Sequence, residues 1–497
     1  MPVLELNHSE TQKLKTLIRN CLVFSLFWHL VAAWFSVGYH QADEHFQILE
    51  FASWKMGNTP TKALAWEYAA RIRPTLQPAM VVVLQKYCIP WANPFQVSFL
   101  LRLFSGLLGL GALVFILLIN LKMIEGYESK RFLILISTFL WFVPYVHVHF
   151  SADSISGSLF FFGLGSIFLG NGNKKNSLLA LGGFLIGLAF VCRLQIVFMI
   201  FGLALWCVFI AKMNLKRLMI IGFTVLIAIG IGILIDRWFY GEWVFTSLNY
   251  FKINVLEGRA SAYGTSPWYT YFTWNFNDLI PPFSILIIAG IIYSLVKYRT
   301  NIFSLTIIPF ILAHIFVAHK EPRFLFPLIG AVPILLAFAY NDFDTRYFKN
   351  WKFKKITLNL FFGLSFVMMA ISCLKPASER IDLYEFIYKH YSGEKVTLVC
   401  QKDNPYHYFE RVYFYRPNDM TIIDHARAGT IDSAINSNTN HPLLILFSEQ
   451  EKAKSFALEH PKSKIVYSSF PEWVRNYNYF NWLDRTKFWI LFEVEGK

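Results

Sequence analysis

Residues 215–236 read L-K-R-L-M-I-I-G-F-T-V-L-I-A-I-G-I-G-I-L-I-D. The stretch 218–235 carries no charge and nearly matches the ~20 apolar residues that cross a bilayer as a helix. Lys216 and Arg217 precede it and Asp236 ends it. A basic start orients such a span, because lysine and arginine stay on the cytoplasmic side. This one stretch predicts a membrane helix running outward.

Similar runs recur along the chain, near 18–37, 95–121, 131–149, 154–170, 177–193, 195–211, 281–297, 301–318, 324–340 and 356–374. With 218–236 they predict eleven crossings. The composition agrees. Of 497 residues, 55% are apolar, 18% aromatic and only 16% charged, against about 25% charged in soluble domains. Disorder is excluded, because disordered chains lack apolar residues. The net charge of +14 does not point to nucleic acid, since the basic residues are not gathered on polar segments. They sit in alternate loops instead. Lys13, Lys15 and Arg19 come first, then Lys122, Lys130 and Arg131, then Lys174 and Lys175. Lys212, Lys216 and Arg217 follow, then Lys297 and Arg299, and finally Arg346, Lys349, Lys352, Lys354 and Lys355. Every predicted inner segment is basic, so the N-terminus is expected inside and residues 376–497 outside. The polar start followed by the apolar run from Cys21 reads as an uncleaved first span. The six cysteines form no C-x-x-C pair and are expected to be free thiols.

Residues 1–375 are therefore expected to form a transmembrane domain, with a first outer loop at 38–94 and a second at 237–280. The stretches 43–56 and 75–88 are amphipathic and predict helices lying along the interface. In the tail 376–497, Val396–Cys400, Leu443–Phe447, Lys464–Tyr467 and Phe488–Val494 read as strands, with a helix over 448–459. That pattern predicts a small α/β domain outside the membrane.

Four outer segments carry residues capable of chemistry. The first loop opens with His40-Gln41-Ala42-Asp43-Glu44-His45-Phe46-Gln47. A carboxylate at the membrane surface is either a solvated loop residue or a general base shielded from water. Adjacent helical side chains diverge by about 100°, so one carboxylate would react and the other orient. Further along stand Trp66-Glu67-Tyr68 and Arg71-Ile72-Arg73-Pro74. These two arginines suit a phosphate or a sugar, and equally a lipid headgroup. The second loop offers Asp236, Asn249, Asn254, Tyr263 and Trp268, which suit a sugar ring, a polyisoprenoid or a plain interfacial loop. Last comes His319-Lys320-Glu321-Pro322-Arg323-Phe324. Its cations could clamp a phosphate or snorkel to the interface. Arg102, on the outer half of its span, could hold an anionic headgroup.

Together these segments resemble glycosyltransferase family 22, the lipid-phosphate-mannose-dependent mannosyltransferases of GPI-anchor and N-glycan assembly. H-Q-A-D-E-H-F-Q (40–47), W-E-Y-A-A-R-I-R-P (66–74), the loop 236–271 and H-K-E-P-R-F-L-F-P (319–327) stand in the order of that family's motifs. The resemblance covers roughly residues 20–345 and leaves out the tail. Ala42 stands where proline is common, and Pro74 where serine is usual.

The resemblance implies a GT-C membrane fold and an inverting transfer of mannose from a polyprenyl-phosphate donor to a hydroxyl of a glycan or glycolipid. It implies Asp43 as base and Glu44 as orienting residue. His319, Lys320, Arg323 and Arg102 would face the donor phosphate, and His40, Trp66, Glu67, Arg71, Arg73, Tyr263 and Trp268 the acceptor or sugar. The donor arrives activated, so neither cofactor nor metal is expected. The expected partners are the lipid donor, the acceptor and membrane lipid. A flippase for lipid-linked sugars is the competing reading, and a transferase of another sugar a third. The flippase would want charges at mid-bilayer, whereas the charge clusters here lie at the outer face. Asn7-His8-Ser9 is the sole N-x-S/T site and is expected inside. That tilts the compartment towards a bacterial inner membrane with the site facing the periplasm.

Overall fold

The computed structural model describes residues 7–344, 352–437, 441–486 and 488–494. Arg346 and Lys349, part of the last expected inner segment, lie outside these residues. The chain packs as two compact units. The first comprises Met1–Ser36, Glu67–Met80 and Phe99–Lys375, and the second Val37–Trp66, Val81–Ser98 and Pro376–Lys497. The tail thus shares its unit with two pieces of the first long loop.

The first unit is a bundle of apolar helices. All eleven expected runs fall on helix. Among the described residues, six helices are long and apolar enough to cross a membrane alone: His8–Phe35, Pro94–Asn120, Ala152–Gly172, Leu215–Tyr240, Pro322–Phe343 and Lys354–Leu374. Tyr127–Phe139 with Phe142–Val148, and Phe283–Lys297 with Ile302–Phe316, are bent by 51° and 114° and raise the count to eight if each pair is one span. Asn176–Cys192 and Leu194–Ile210 are apolar but short.

Without a hydrophobic drive between helices in lipid, close approach of small residues holds such bundles together. Gly163 and Gly182 face each other so closely that a Cβ on either would lie 2.8 or 2.7 Å from the other's carbonyl oxygen. On the opposite side of the Asn176–Cys192 helix, a Cβ on Gly187 would lie 2.7 Å from the carbonyl of Val225. The Leu215–Tyr240 helix leaves Phe223, Leu226 and Leu234 exposed, as a lipid-facing span must.

The second unit holds a five-stranded sheet of order β2-β1-β3-β5-β4. β1 (Val396–Cys400) pairs in parallel with β2 (Met420–Ile423) and β3 (Leu443–Phe447). β5 (Ile490–Val494) runs antiparallel to β3 and to β4 (Lys464–Ser468). The central strands are buried on both faces, so they read as unbroken apolar runs. β2 was not expected, because its short run of four residues ends half-buried at the sheet edge. The stretch 43–56 is helical as expected, but it does not offer its apolar face to lipid. Phe46, Ile48, Phe51 and Ala52 are all buried and form core within the second unit. All six cysteines are free thiols.

Candidate active site

Helix Ala42–Glu44 starts seven residues after the first span and continues through a π-turn, His45–Leu49, into Glu50–Lys55. Glu44 is buried and its carboxylate accepts the Gln41 amide at 3.3 Å. It closes the start of its own helix. Asp43 precedes it, half-buried, in the first turn, where the free amides of a helix start favour a carboxylate. His40 is also half-buried.

The π-turn is held by a residue that the sequence did not single out. Glu50 is 1% exposed, and its Oε1 lies 2.8 Å from His45 Nε2. The same oxygen accepts the amides of Tyr413 and Phe414 at 2.7 and 3.0 Å. Its Oε2 accepts the Thr59 hydroxyl at 2.9 Å. The His45 ring stacks between Tyr39 and Tyr415, at 5.4 and 5.5 Å. Burial pushes the Tyr39 phenol up to about 12, with the Arg380 guanidinium pulling the other way. A buried carboxylate saturated with donors is a rigid node, and it fixes the helix that carries Asp43. Its only sequence signal was an acid inside an amphipathic stretch.

In the first unit, 67–75 is bound to the second long loop. Asp236 is 3% exposed. Its Oδ1 accepts the Thr75 amide and hydroxyl at 2.8 and 2.7 Å, and its Oδ2 accepts the Thr246 hydroxyl at 2.9 Å. Arg71 donates to Glu242 at 2.7 Å and lies 4.7 and 4.9 Å over the rings of Tyr68 and Tyr240. Arg73 stands 3.6 Å from Glu67 and over the Tyr250 ring. The two arginines thus join the two loops through protein partners. Trp66 is half-buried in the second unit.

The H-K-E-P-R-F segment is organised by Glu321. Arg323 donates its Nε and Nη2 to this carboxylate at 2.7 and 3.1 Å, and His319 Nε2 lies 3.1 Å from it. Lys320 is 4% exposed, and its ammonium donates to the carbonyls of Val317 and Ser266 at 2.6 and 3.0 Å. Burial draws that ammonium below its ordinary pKa. The Ser266 amide returns a bond to the Ala318 carbonyl at 2.9 Å. The Tyr263 ring lies 5.9 Å from His319, while Tyr263 and Trp268 remain exposed. His319, Lys320, Arg323 and Tyr263 therefore form one cluster, in which Glu321 holds the Arg323 and His319 side chains.

A buried ion pair adjoins this cluster. Arg193 Nη1 meets Asp153 Oδ1 at 2.7 Å, and the guanidinium sits 5.1 Å over the Phe324 ring. The sequence placed Arg193 only at the end of an apolar run. Arg102, expected near a headgroup, is buried and donates its Nε to the Ala33 carbonyl at 2.9 Å. That bond ties two spans together.

The comparisons with known proteins follow this layout. A model of the Alg9-like mannosyltransferase family matches residues 21–415, so the likeness runs past residue 345 into the tail. GPI alpha-1,2-mannosyltransferase 3 of Bos taurus is 26% identical over 339 residues, 66% of this chain and 59% of the relative. The chain thus spans less than two thirds of that relative's length. Dol-P-Man:Man(7)GlcNAc(2)-PP-Dol alpha-1,6-mannosyltransferase of Saccharomyces cerevisiae is 31% identical over 195 residues, 39% of this chain and 34% of the relative. Among solved structures, ArnT from Cupriavidus metallidurans bound to undecaprenyl phosphate superposes with a TM-score of 0.54. The identity is 12%, over 97% of this chain and 98% of that one. That likeness shows the GT-C fold alone. With a family match over most of its length on a polytopic helical GT-C framework, the chain belongs to the Alg9-like mannosyltransferase family.

Proposed function

We propose that the protein is an inverting mannosyltransferase. It takes mannose from a polyprenyl-phosphate-mannose donor and attaches it in α-linkage to a hydroxyl of a glycan or glycolipid on the outer face of the membrane. The observation that carries this reading is Asp43. It stands in the first turn of a helix fixed by the Glu50 node, inside the family's matched span. Asp43 takes the proton of the attacking hydroxyl as that oxygen displaces phosphate at the anomeric carbon. Glu44 shapes the helix start that orients it. Lys320 and Arg323 supply positive charge to the phosphate as it leaves. Glu321 pre-orients the Arg323 guanidinium, which lowers the cost of fixing it during reaction. His319 donates to a donor oxygen. Arg71 and Arg73, held by Glu242 and Glu67, frame the acceptor with Tyr263 and Trp268. The donor is already activated, so the reaction needs no cofactor.

The outward face follows from the alternation of basic loops. A bacterial inner membrane is the proposed compartment, because the outer segments lack an N-x-S/T site.

The test is transfer by the purified protein from synthetic polyprenyl-phosphate-mannose to extracted lipid-linked glycans, read by mass spectrometry. Asp43→Asn removes the proton acceptor and should slow transfer by about 10²–10⁴-fold with unchanged thermal stability. Near-normal turnover would remove Asp43 from the role of base. A hexose of another stereochemistry accepted in preference to mannose would overturn the sugar assignment.

A further inference from the structure

At the end of the bundle where the basic loops lie, a cavity of about 320 Å³ opens between three helices. Its floor is apolar. Phe132 stacks on Tyr340 at 4.1 Å with the rings 7° apart, and Leu135, Leu358 and Phe362 complete the wall. Its rim is basic, carrying Arg131, Lys352, Lys354 and Lys355 against a single acid among the described lining residues, Glu128. Glu128 is already paired with Arg131 at 3.3 Å, and Lys354 is paired with Asp344 and lies over the Tyr340 ring. That leaves Lys352 and Lys355 exposed, with no carboxylate partner among the described residues. The Lys354–Leu374 helix begins at this rim, and no side chain caps its first amides. Those amides add a partial positive charge.

We propose that this cavity binds the phosphate headgroup of an anionic membrane lipid. The observations rest on the spanning fold and not on the transfer reaction. A soluble phosphate would satisfy the rim but leave an aromatic floor in water, whereas a phospholipid satisfies both, with headgroup on lysine and glycerol and acyl carbons on Phe132, Leu358 and Phe362. The alternation of basic loops puts this end in the cytoplasm. Basic pockets between spans on that side recognise anionic headgroups.

The test uses the full chain in nanodiscs of phosphatidylcholine with a graded fraction of phosphatidylglycerol, followed by native mass spectrometry of the lipid retained. The wild type should keep phosphatidylglycerol in preference to phosphatidylcholine, and millimolar inorganic phosphate should not displace it. Lys352→Gln with Lys355→Gln should weaken retention about 25-fold, at about five-fold per charge near the surface. Lys352→Arg with Lys355→Arg should retain it. Equal retention of the two lipids by the unmodified protein would overturn the proposal, whatever the folding of the variants. Displacement by inorganic phosphate would overturn it as well, in favour of a soluble anion, as would unchanged retention by a folded glutamine variant.

Discussion

Asp153→Asn isolates the buried ion pair that joins two helix ends beside the Glu321 cluster. Arg193 and Asp153 meet at 2.7 Å with side-chain exposures of 7% and 2%. Arg193 stands at the end of the Asn176–Cys192 helix, and Asp153 lies in the first turn of Ala152–Gly172. Removing the carboxylate charge leaves a guanidinium in a medium that cannot hydrate it. Breaking a buried pair in this way costs about 3–5 kcal/mol. Replacing both partners with apolar residues of similar size removes the uncompensated charge, so Asp153→Leu with Arg193→Met should recover most of the loss. The cycle of Asp153→Leu, Arg193→Met and their double variant should therefore show strong non-additivity, on the order of 2–3 kcal/mol. The assay is unfolding of the purified protein in mixed micelles, with the single and double variants measured side by side. If Asp153→Asn lay within about 0.5 kcal/mol of wild type, a range typical of exposed surface changes, the pair would be hydrated and the reasoning would fail. An additive cycle would be equally damaging.

Glu321→Gln should lower transfer by releasing Arg323 and His319, with the larger effect at subsaturating donor; initial rates against donor concentration decide, and unchanged kinetics would leave Glu321 without this positioning role. Arg323→Lys should be impaired too, because an ammonium cannot reproduce the planar fork that grips Glu321. Asp236→Ala leaves the Thr75 amide and the two hydroxyls without their acceptor, at about 1–3 kcal/mol per buried unsatisfied group; limited proteolysis should then cut the loop 237–280 sooner than in wild type. The Tyr39 phenol, pushed up to about 12, is protonated in the fold after an unfolded tyrosine would have ionised near 10. Its contribution is complete below pH 10 and is lost as pH rises towards 12, so Tyr39→Phe should flatten the alkaline fall in stability.

The bundle was legible because lipid imposes one simple rule, an uncharged run of about 20 residues per crossing. That rule does not report bends, and the break after Phe139, inside the run 131–149, came only with the structure. Asp43 and the H-K-E-P-R-F segment were legible as dense local charge. Glu50 was not, since its partners Tyr413 and Phe414 lie 363 and 364 positions away. Asp153 and Arg193 were hidden for the same reason: pairing across helices leaves no mark at fixed spacing. The amphipathic stretch 43–56 was read as an interfacial helix because periodicity reveals an apolar face but not what covers it. Here the covering comes from protein.

The Glu50 node also sets an order of events during synthesis. Glu50 emerges early, but the amides that close around it belong to Tyr413 and Phe414. At about 5–20 residues per second, the ribosome needs roughly 20–70 s to deliver them. Until then the helix bearing Asp43 lacks the clamp that fixes its π-turn, while the spans between are already being inserted. The anchoring of the Asp43 helix thus waits for a distant part of the chain, and a product halted before residue 413 would carry Asp43 on an unclamped turn.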